Sequence, residues 1–414
     1  MTPSNTNKTK FISCKEKISV IEINLGNFGS TGTIMKGISE EAKKNGINVC
    51  LAYPGGERNL ESAPSDIIIC SPFYKKVSRF LASLTGLNGC FALYATIVFL
   101  RKVKRINPGI LHFHNLHDSY INLPLLFRFV KKYNIPVIWT LHDCWSFTAR
   151  CPHFIEAGCY KWISGCNKCS QLSSYPVSKI DRTPFLWKHK RKWFTGVPNL
   201  TIVTPSQWLS RFVAKSFLKE YPLQVINNGI DLNVFKPTDS DFRKRYHLED
   251  KYIILGVSFA WSIMKGLDCF SKLANRLSDQ YQIVLVGVDQ ETKTTLPSNI
   301  ISIDKTSNVT QLVEIYSSAN VFLNPTRQDT FPTVNMEALA CGLPVVTFNT
   351  GGSPEIIDEK TGIVVDDNIE SITKALVDIC EHNRIDKSDC VQRASLFNKK
   401  VKFSQYINLY KKYI

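Results

Sequence analysis

The chain has 414 residues, 44% of them hydrophobic, and a formal net charge of +16. That length predicts two domains of ordinary size, with enough apolar sequence for two cores. The basic balance favours phosphorylated substrates or an anionic membrane surface, while the lack of a helix-turn-helix, finger or RNA-binding aromatic pattern argues against nucleic acid as a partner.

Residues 1–17 are polar and lysine-rich and read as disordered; they lack the apolar stretch of a signal peptide. A β run from Ile18 to Leu25 leads into a glycine loop, Gly26–Gly32, then a helical stretch from Thr33 to Asn45 and a strand from Ile47 to Ala52. Backbone at Gly29, Ser30, Thr31 and Gly32 can approach an anion closely; a tight turn between strand and helix is the plainer alternative. The loop is not G-x-G-x-x-G, and the second strand runs into Ala52-Tyr53-Pro54 without an acid, which counts against a nicotinamide dinucleotide.

Further strands are expected at Asp66–Cys70, Gly109–Phe113, Pro136–Leu141, Asn199–Thr204 and Gln224–Ile226. His114 and His142 follow two of these runs, where open α/β sheets bind ligands, and so are candidates for lining a site with Asp143. His112, inside its strand, reads as a core residue and His117 as a solvated one. Leu87–Leu100 followed by the basic run Arg101–Arg105 reads as a buried helix with a solvated end, and no apolar run reaches the roughly 20 residues that cross a bilayer. A second basic run, Lys188–Lys192, precedes Trp193 and Phe194; together the two runs suit an anionic membrane surface. The expected location is the cytoplasm, or the inner face of its membrane as a peripheral protein.

Nine of the thirteen cysteines are scattered, mostly in apolar runs, but Cys151, Cys159, Cys166 and Cys169 cluster. In a reducing compartment such spacing reads as a structural zinc site, with free thiols as the alternative. No Asp-x-Asp motif stands at a strand end, so no catalytic metal or other cofactor is expected.

Turn residues in Ile226–Pro237 mark a linker, which divides the chain into 18–232, 233–398 and a terminal helix within 399–414. The second half repeats the alternation, with strands at Ile253–Ser258, Gln282–Val286, Ile300–Ile303, Val321–Asn324 and Leu343–Phe348. Alternating strands and helices in both halves predict parallel, doubly wound sheets. Lys265 opens a helix after the first of these strands, placed to neutralise a diphosphate. Asp329 lies on the loop after Val321–Asn324 and Glu337 inside the short helix that follows; the helix stops at Gly342, and the next strand ends at Gly351-Gly352. Amides of Thr330, Phe331, Thr333 and Val334, with Pro332 between them, face an anion position while the two carboxylates can accept from hydroxyls.

Asp329-x7-Glu337, then Ala338-Leu339-Ala340-Cys341-Gly342 and Gly351-Gly352-x-Pro354-Glu355, resembles the nucleotide-sugar signature of glycosyltransferase family 4. The resemblance runs from about Ile18 to the C-terminus and is strongest to the colanic-acid-type branch, in which the four-cysteine pattern also occurs. It implies a retaining transferase of the GT-B fold: two Rossmann-like doubly wound domains facing across a cleft, with the last helix packed back on the first domain. It further implies a nucleotide-sugar donor and a hydroxyl acceptor, lipid-linked or saccharide, in surface-polysaccharide synthesis. By the same resemblance Glu337 meets the donor ribose and Asp329 the donor sugar, while Lys265 and the amides of residues 330–334 meet the diphosphate. His114 would touch sugar or phosphate, with His142 and Asp143 beside it. Three positions depart from the family pattern. Asp329 replaces the commoner glutamate, Pro332 stands where glycine is frequent, and Ala260 occupies the place of an arginine that usually pairs with the lysine. Arg327 could supply the missing charge or be a surface residue. A catalytically silent GT-B binding protein and another GT-B enzyme, such as a nucleotide-sugar epimerase, are the alternatives.

Overall fold

The structure, a computed structural model, describes residues 19–382 and 385–414; the segment 1–17 lies outside them. Two parallel sheets form the frame. The first contains β1 (Val20–Ile23), β2 (Val49–Tyr53), β3 (Ile67–Ile68), β4 (Ile110–Phe113), β5 (Val137–Thr140), β6 (Leu200–Thr204) and β7 (Leu223–Val225), in the order β3-β2-β1-β4-β5-β6-β7. The second contains β8 (Tyr252–Val257), β9 (Tyr281–Val286), β10 (Ile300–Ile303), β11 (Val321–Asn324), β12 (Val345–Phe348) and β13 (Gly362–Val365), in the order β10-β9-β8-β11-β12-β13. The inner strands are buried along their whole length because helices cover both faces of each sheet. Strand order reverses at β1/β4 and at β8/β11, and ligands of such sheets bind beyond the strand ends at those points.

Several local expectations need correction. The first helix starts at Gly29, not Thr33, so Gly29 to Gly32 form its first turn, with Gly29 and Ser30 exposed and Gly32 buried. The preceding loop is pinned by Asn24 and Asn27, whose side-chain amides donate to Gly26 O at 2.9 Å and Leu60 O at 3.0 Å. Strand β13 was not anticipated: it is four residues long and hidden between charged turns. The helix Leu93–Ile106 buries Phe99, Leu100 and Val103, yet Tyr94 at its start is 71% exposed. In the second basic run, Lys190 and Phe194 are buried, leaving Lys188, Arg191 and Lys192 at the surface. His117, expected to be solvated, is buried between Tyr175 and Asp143.

After the second sheet the chain returns to the first domain. It crosses itself where Ile230 N donates to Phe397 O and Lys399 N to Ile230 O, both at 2.9 Å. The helix Lys399–Tyr410 then packs on Gly29–Lys44, with Phe403, Tyr406 and Tyr410 buried. Gly37 permits this approach, since a Cβ there would lie 2.3 Å from the Phe403 ring. Among the described residues no helix is long and apolar enough to cross a membrane.

Candidate active site

The loop after β11 carries Asp329, and the helix Thr333–Ala340 carries Glu337. Pro332 is the residue before that helix and offers no side-chain cap, so the first helical amides carry the partial positive charge of an open N-terminus. Phe331 N is the exception to the expected free amides: it donates to Asp329 Oδ1 at 3.3 Å. The Phe331 side chain is buried in the core, its ring 5.8 Å from that of Phe397. The Thr330 hydroxyl reaches into the other domain and donates to His142 O at 2.6 Å. Gly351 holds this loop from behind: its φ is +59°, and a Cβ would sit 1.7 Å from Asp329 O.

Glu337 is only partly exposed and otherwise surrounded by protein. The Tyr316 hydroxyl donates to its Oε2 at 3.2 Å. Burial pushes its carboxyl up to about 7, against the hydrogen bonds from Tyr316 and Thr333. A ligand that brings hydroxyl donors to this carboxylate would therefore stabilise its charged form.

Lys265 lies in a short turn after β8, and its Nζ stands 3.0 Å from Asp329 Oδ2. The expected cation and the expected sugar carboxylate thus form one pair. Arg327 does not add a second cation, because its guanidinium is gripped by Asp268 and Asp367 at 2.6–3.1 Å.

Across the cleft, His114 is fully buried rather than surface-lining. Its Nδ1 lies 2.9 Å from Nε2 of His142, which is itself buried but, at 9% exposure, the more accessible of the two rings. Asp143 accepts from Trp145 N at 2.8 Å and lies 3.1 Å from His117 Nε2. Burial raises its carboxyl, but His117 and neighbouring donors outweigh that and hold it below the usual aspartate range. The loop behind carries His153, which interacts electrostatically with Asp143, Asp329 and Lys265, and Glu156, which accepts from Gln328 Nε2 at 3.2 Å. Both domains therefore contribute to the region around Asp329. Glu355 adds a further crossing contact, accepting from Gln207 N at 2.8 Å and Trp208 N at 2.6 Å.

Glu22, Tyr316, His153 and the bridging use of Glu355 escaped the sequence reading. Only Glu22 had a visible signal, as an acid inside the apolar run of β1.

Glu22, His112 and His114 are the one trio of His, Cys, Asp or Glu among the described residues whose ligand atoms lie within 4.8 Å of one another. It is a poor metal site because both His112 nitrogens are taken, by Tyr410 at 2.6 Å and Thr140 at 2.9 Å. The four clustered cysteines stand wider: Cys151 interacts with Cys166 and Cys169, and Cys166 also with Cys159.

Two Rossmann-like domains joined by a crossing C-terminal helix, with their strand ends face to face, define the GT-B class. Structures of that class agree with this. A sucrose-phosphate synthase from Thermosynechococcus elongatus superposes with a TM-score of 0.68 at 17% identity, covering 95% of this chain and 98% of that one. The HepE protein of Anabaena, in complex with UDP, superposes with a TM-score of 0.66 at 13% identity, covering 95% and 100%. At these identities the likeness concerns the fold.

The Glycosyltransferase Family 4 model matches residues 31–234 and the Glycosyl transferases group 1 model residues 251–382. The chain belongs to these glycosyltransferases. Among curated proteins it is 27% identical over 284 residues to the "Putative colanic acid biosynthesis glycosyl transferase WcaC" of Escherichia coli (strain K12). That match covers 66% of each protein. It is 25% identical over 158 residues to a D-inositol 3-phosphate glycosyltransferase of Mycobacterium sp. (strain KMS), covering 35% of this chain and 36% of that one. The chain thus matches about two thirds of the first relative and about a third of the second.

Proposed function

We propose that the protein is a retaining glycosyltransferase that moves a sugar from a nucleoside-diphosphate sugar to a hydroxyl of a lipid-linked saccharide during surface-polysaccharide assembly. The observation that carries this reading is the Lys265–Asp329 pair beside an uncapped helix N-terminus, with the partly ionisable Glu337 on that same helix. Glu337 accepts from the ribose. Asp329 accepts from the donor sugar, which frees Lys265 to face the diphosphate as its charge develops. Attack on the face the diphosphate leaves preserves the anomeric configuration. HepE structures with UDP and with UDP-glucose support a donor of this class, and the WcaC likeness supports the polysaccharide setting. A panel of UDP-, GDP- and ADP-sugars, scored by thermal shift, tests the donor class; one nucleotide series should raise Tm, and no shift with any of them would refute donor binding.

The acceptor belongs at a membrane. Helix Pro72–Thr85 exposes Phe73 (76%), Val77 (38%) and Phe80 (60%) on one face beside Lys76. Arg101, Lys102, Lys104 and Arg105 lie exposed on the basic helix end. Lysines and arginines near an anionic bilayer contribute about 1 kcal/mol each, and aromatics lodge at headgroup depth. Reversal of Arg101, Lys102, Lys104 and Arg105 to glutamate should abolish sedimentation with anionic vesicles at low salt. Lys190 must stay, since it is buried. Equal binding to neutral vesicles, or none to either, would show these charges to be merely solvated.

The cysteine loop is proposed to hold structural zinc. Arg150 and Lys190 are both buried beside the thiols, and neither has a carboxylate at ion-pair distance among the described residues. Both donate to backbone carbonyls, and burial pushes the Lys190 ammonium down to about 7; a tetrathiolate zinc centre, with net charge −2, would favour both charges. Binding requires the sulfurs to draw together from their present pairs. Elemental analysis should find about one zinc per chain, lost in Cys166→Ser; metal-free protein at full stability would contradict this.

A further inference from the structure

The direction of the hydrogen bond between His114 and His142 is set by a residue one layer deeper. The two rings lie 5.3 Å apart and 13° from parallel, with Nδ1 of His114 2.9 Å from Nε2 of His142. Burial holds both imidazoles down at about 3, so both are neutral near pH 7. Two neutral rings share such a bond only if one supplies N–H and the other a lone pair. Their tautomers are therefore locked together. His142 Nδ1, at the end of β5, has no protein partner among the described residues, and the tautomer lock decides whether it carries a proton.

Behind His114 lies an unresolved pair of atoms. His114 Nε2 and Glu22 Oε2 are buried, face each other at 3.5 Å and have no other hydrogen-bond partner among the described residues. The other end of the network is satisfied. The Tyr410 hydroxyl donates to Glu22 Oε1 at 3.1 Å, so its oxygen accepts from His112 Nδ1 at 2.6 Å. The Thr140 hydroxyl lies 2.9 Å from His112 Nε2 and donates to the Tyr406 hydroxyl at 3.3 Å. Either Glu22 donates to His114, or an ionised Glu22 accepts from it. The charged alternative buries a carboxylate with no paired cation. The groups around Glu22 are His112 and His114 from β4, Tyr406 and Tyr410 from the C-terminal helix, and Lys43 as a distant charge on the first helix. Burial raises the Glu22 carboxyl well above the usual range, against the Tyr410 hydrogen bond and Lys43.

We propose that Glu22 is a positioning residue that works as a neutral carboxylic acid: it donates to His114 Nε2, His114 Nδ1–H donates to His142 Nε2, and His142 presents Nδ1–H to the donor's phosphate or sugar oxygens. The last clause rests on the transferase reading; the tautomer assignment does not. No proton moves in turnover. Ionisation of Glu22 would turn both rings round, leaving His142 with a lone pair facing an anionic ligand. The C-terminal helix thereby helps to shape the cleft through Tyr410.

Glutamine reproduces a protonated glutamate here, its Oε1 accepting from Tyr410 and its Nε2–H donating to His114. The test is 15N NMR of histidine-labelled full-length protein, free of donor, with kinetics beside it. The wild type and Glu22→Gln should both show His142 as the Nδ1–H tautomer. Glu22→Gln should keep kcat/KM within about twofold and lack any alkaline fall that the wild type shows. Glu22→Leu, which cannot donate, should raise KM for the donor about tenfold, the loss of one hydrogen bond to a charged partner. The Nε2–H tautomer at His142 in the wild type overturns the proposal even if sugar transfer is intact. So does a Glu22→Gln enzyme as impaired as Glu22→Leu. If Glu22→Leu does not fold, the spectra of the wild type and Glu22→Gln still decide.

Discussion

At pH 8 the Glu337→Gln variant should bind its nucleotide-sugar donor roughly 10- to 150-fold more weakly than the wild type, the range for losing hydrogen bonds to a charged group. The fold should tolerate the change, because the side chain keeps its shape and its contact with Tyr316. The pH dependence is the sharper signature. In the free protein burial holds the Glu337 carboxyl up at about 7, whereas ribose hydroxyls bind its ionised form. Below that pH each bound donor must expel a proton, so wild-type affinity should fall about tenfold per pH unit and level off above it. The glutamine variant has no such proton and should be flat across the same range. The free protein shows the opposite trend. A raised folded-state pKa means that this residue's contribution to stability is present below the ordinary glutamate range and is lost as pH rises through about 7. Calorimetric titration from pH 5.5 to 8.5 reads the binding effect directly. A wild-type profile parallel to that of the variant would remove Glu337 from the ribose.

The second large effect is on turnover. Lys265→Met should lower kcat by about 100- to 1000-fold, the scale on which one preorganised electrostatic group aids a developing charge. The reason is scarcity. By the family resemblance Ala260 stands where a second cation is expected, and Arg327 is committed to Asp268 and Asp367. Lys265 is thus the cation paired with Asp329 at this loop. Donor affinity should change much less than kcat, since in the free protein the ammonium is already engaged with Asp329. Lys265→Arg should recover part of the rate. Steady-state kinetics of the three proteins separates these effects; an unchanged kcat in Lys265→Met would mean that the helix amides alone carry the leaving group.

Much of this frame was legible because apolar strand runs and turn residues alternate without interruption. Strand β10 was placed at its observed ends, and β11 and the helix at Thr333 were located by the run, loop and glycine stop around Asp329. Strand β13 was lost because four residues between charged turns give no period to read. Site residues were legible as types but not as partners. Spacing could not show that Lys265 pairs with Asp329, or that Phe331 turns its ring into the core, since both follow from how β8 and β11 lie side by side. His114 and His142 each looked like a cleft residue; only the parallel register of β4 and β5 brings their rings together. Lys190 reads as surface in any basic run, and its burial depends on Trp145, 45 residues earlier, whose ring and carbonyl receive its ammonium.

The most direct test of the central claim is release of nucleoside diphosphate from a panel of UDP-, GDP- and ADP-sugars by the purified full-length chain, with membrane lipid extract as acceptor. The cleft geometry predicts release from one nucleotide series, dependent on acceptor and reduced at least tenfold by Glu337→Gln. Release from no donor, or release that Glu337→Gln leaves unchanged, would contradict it.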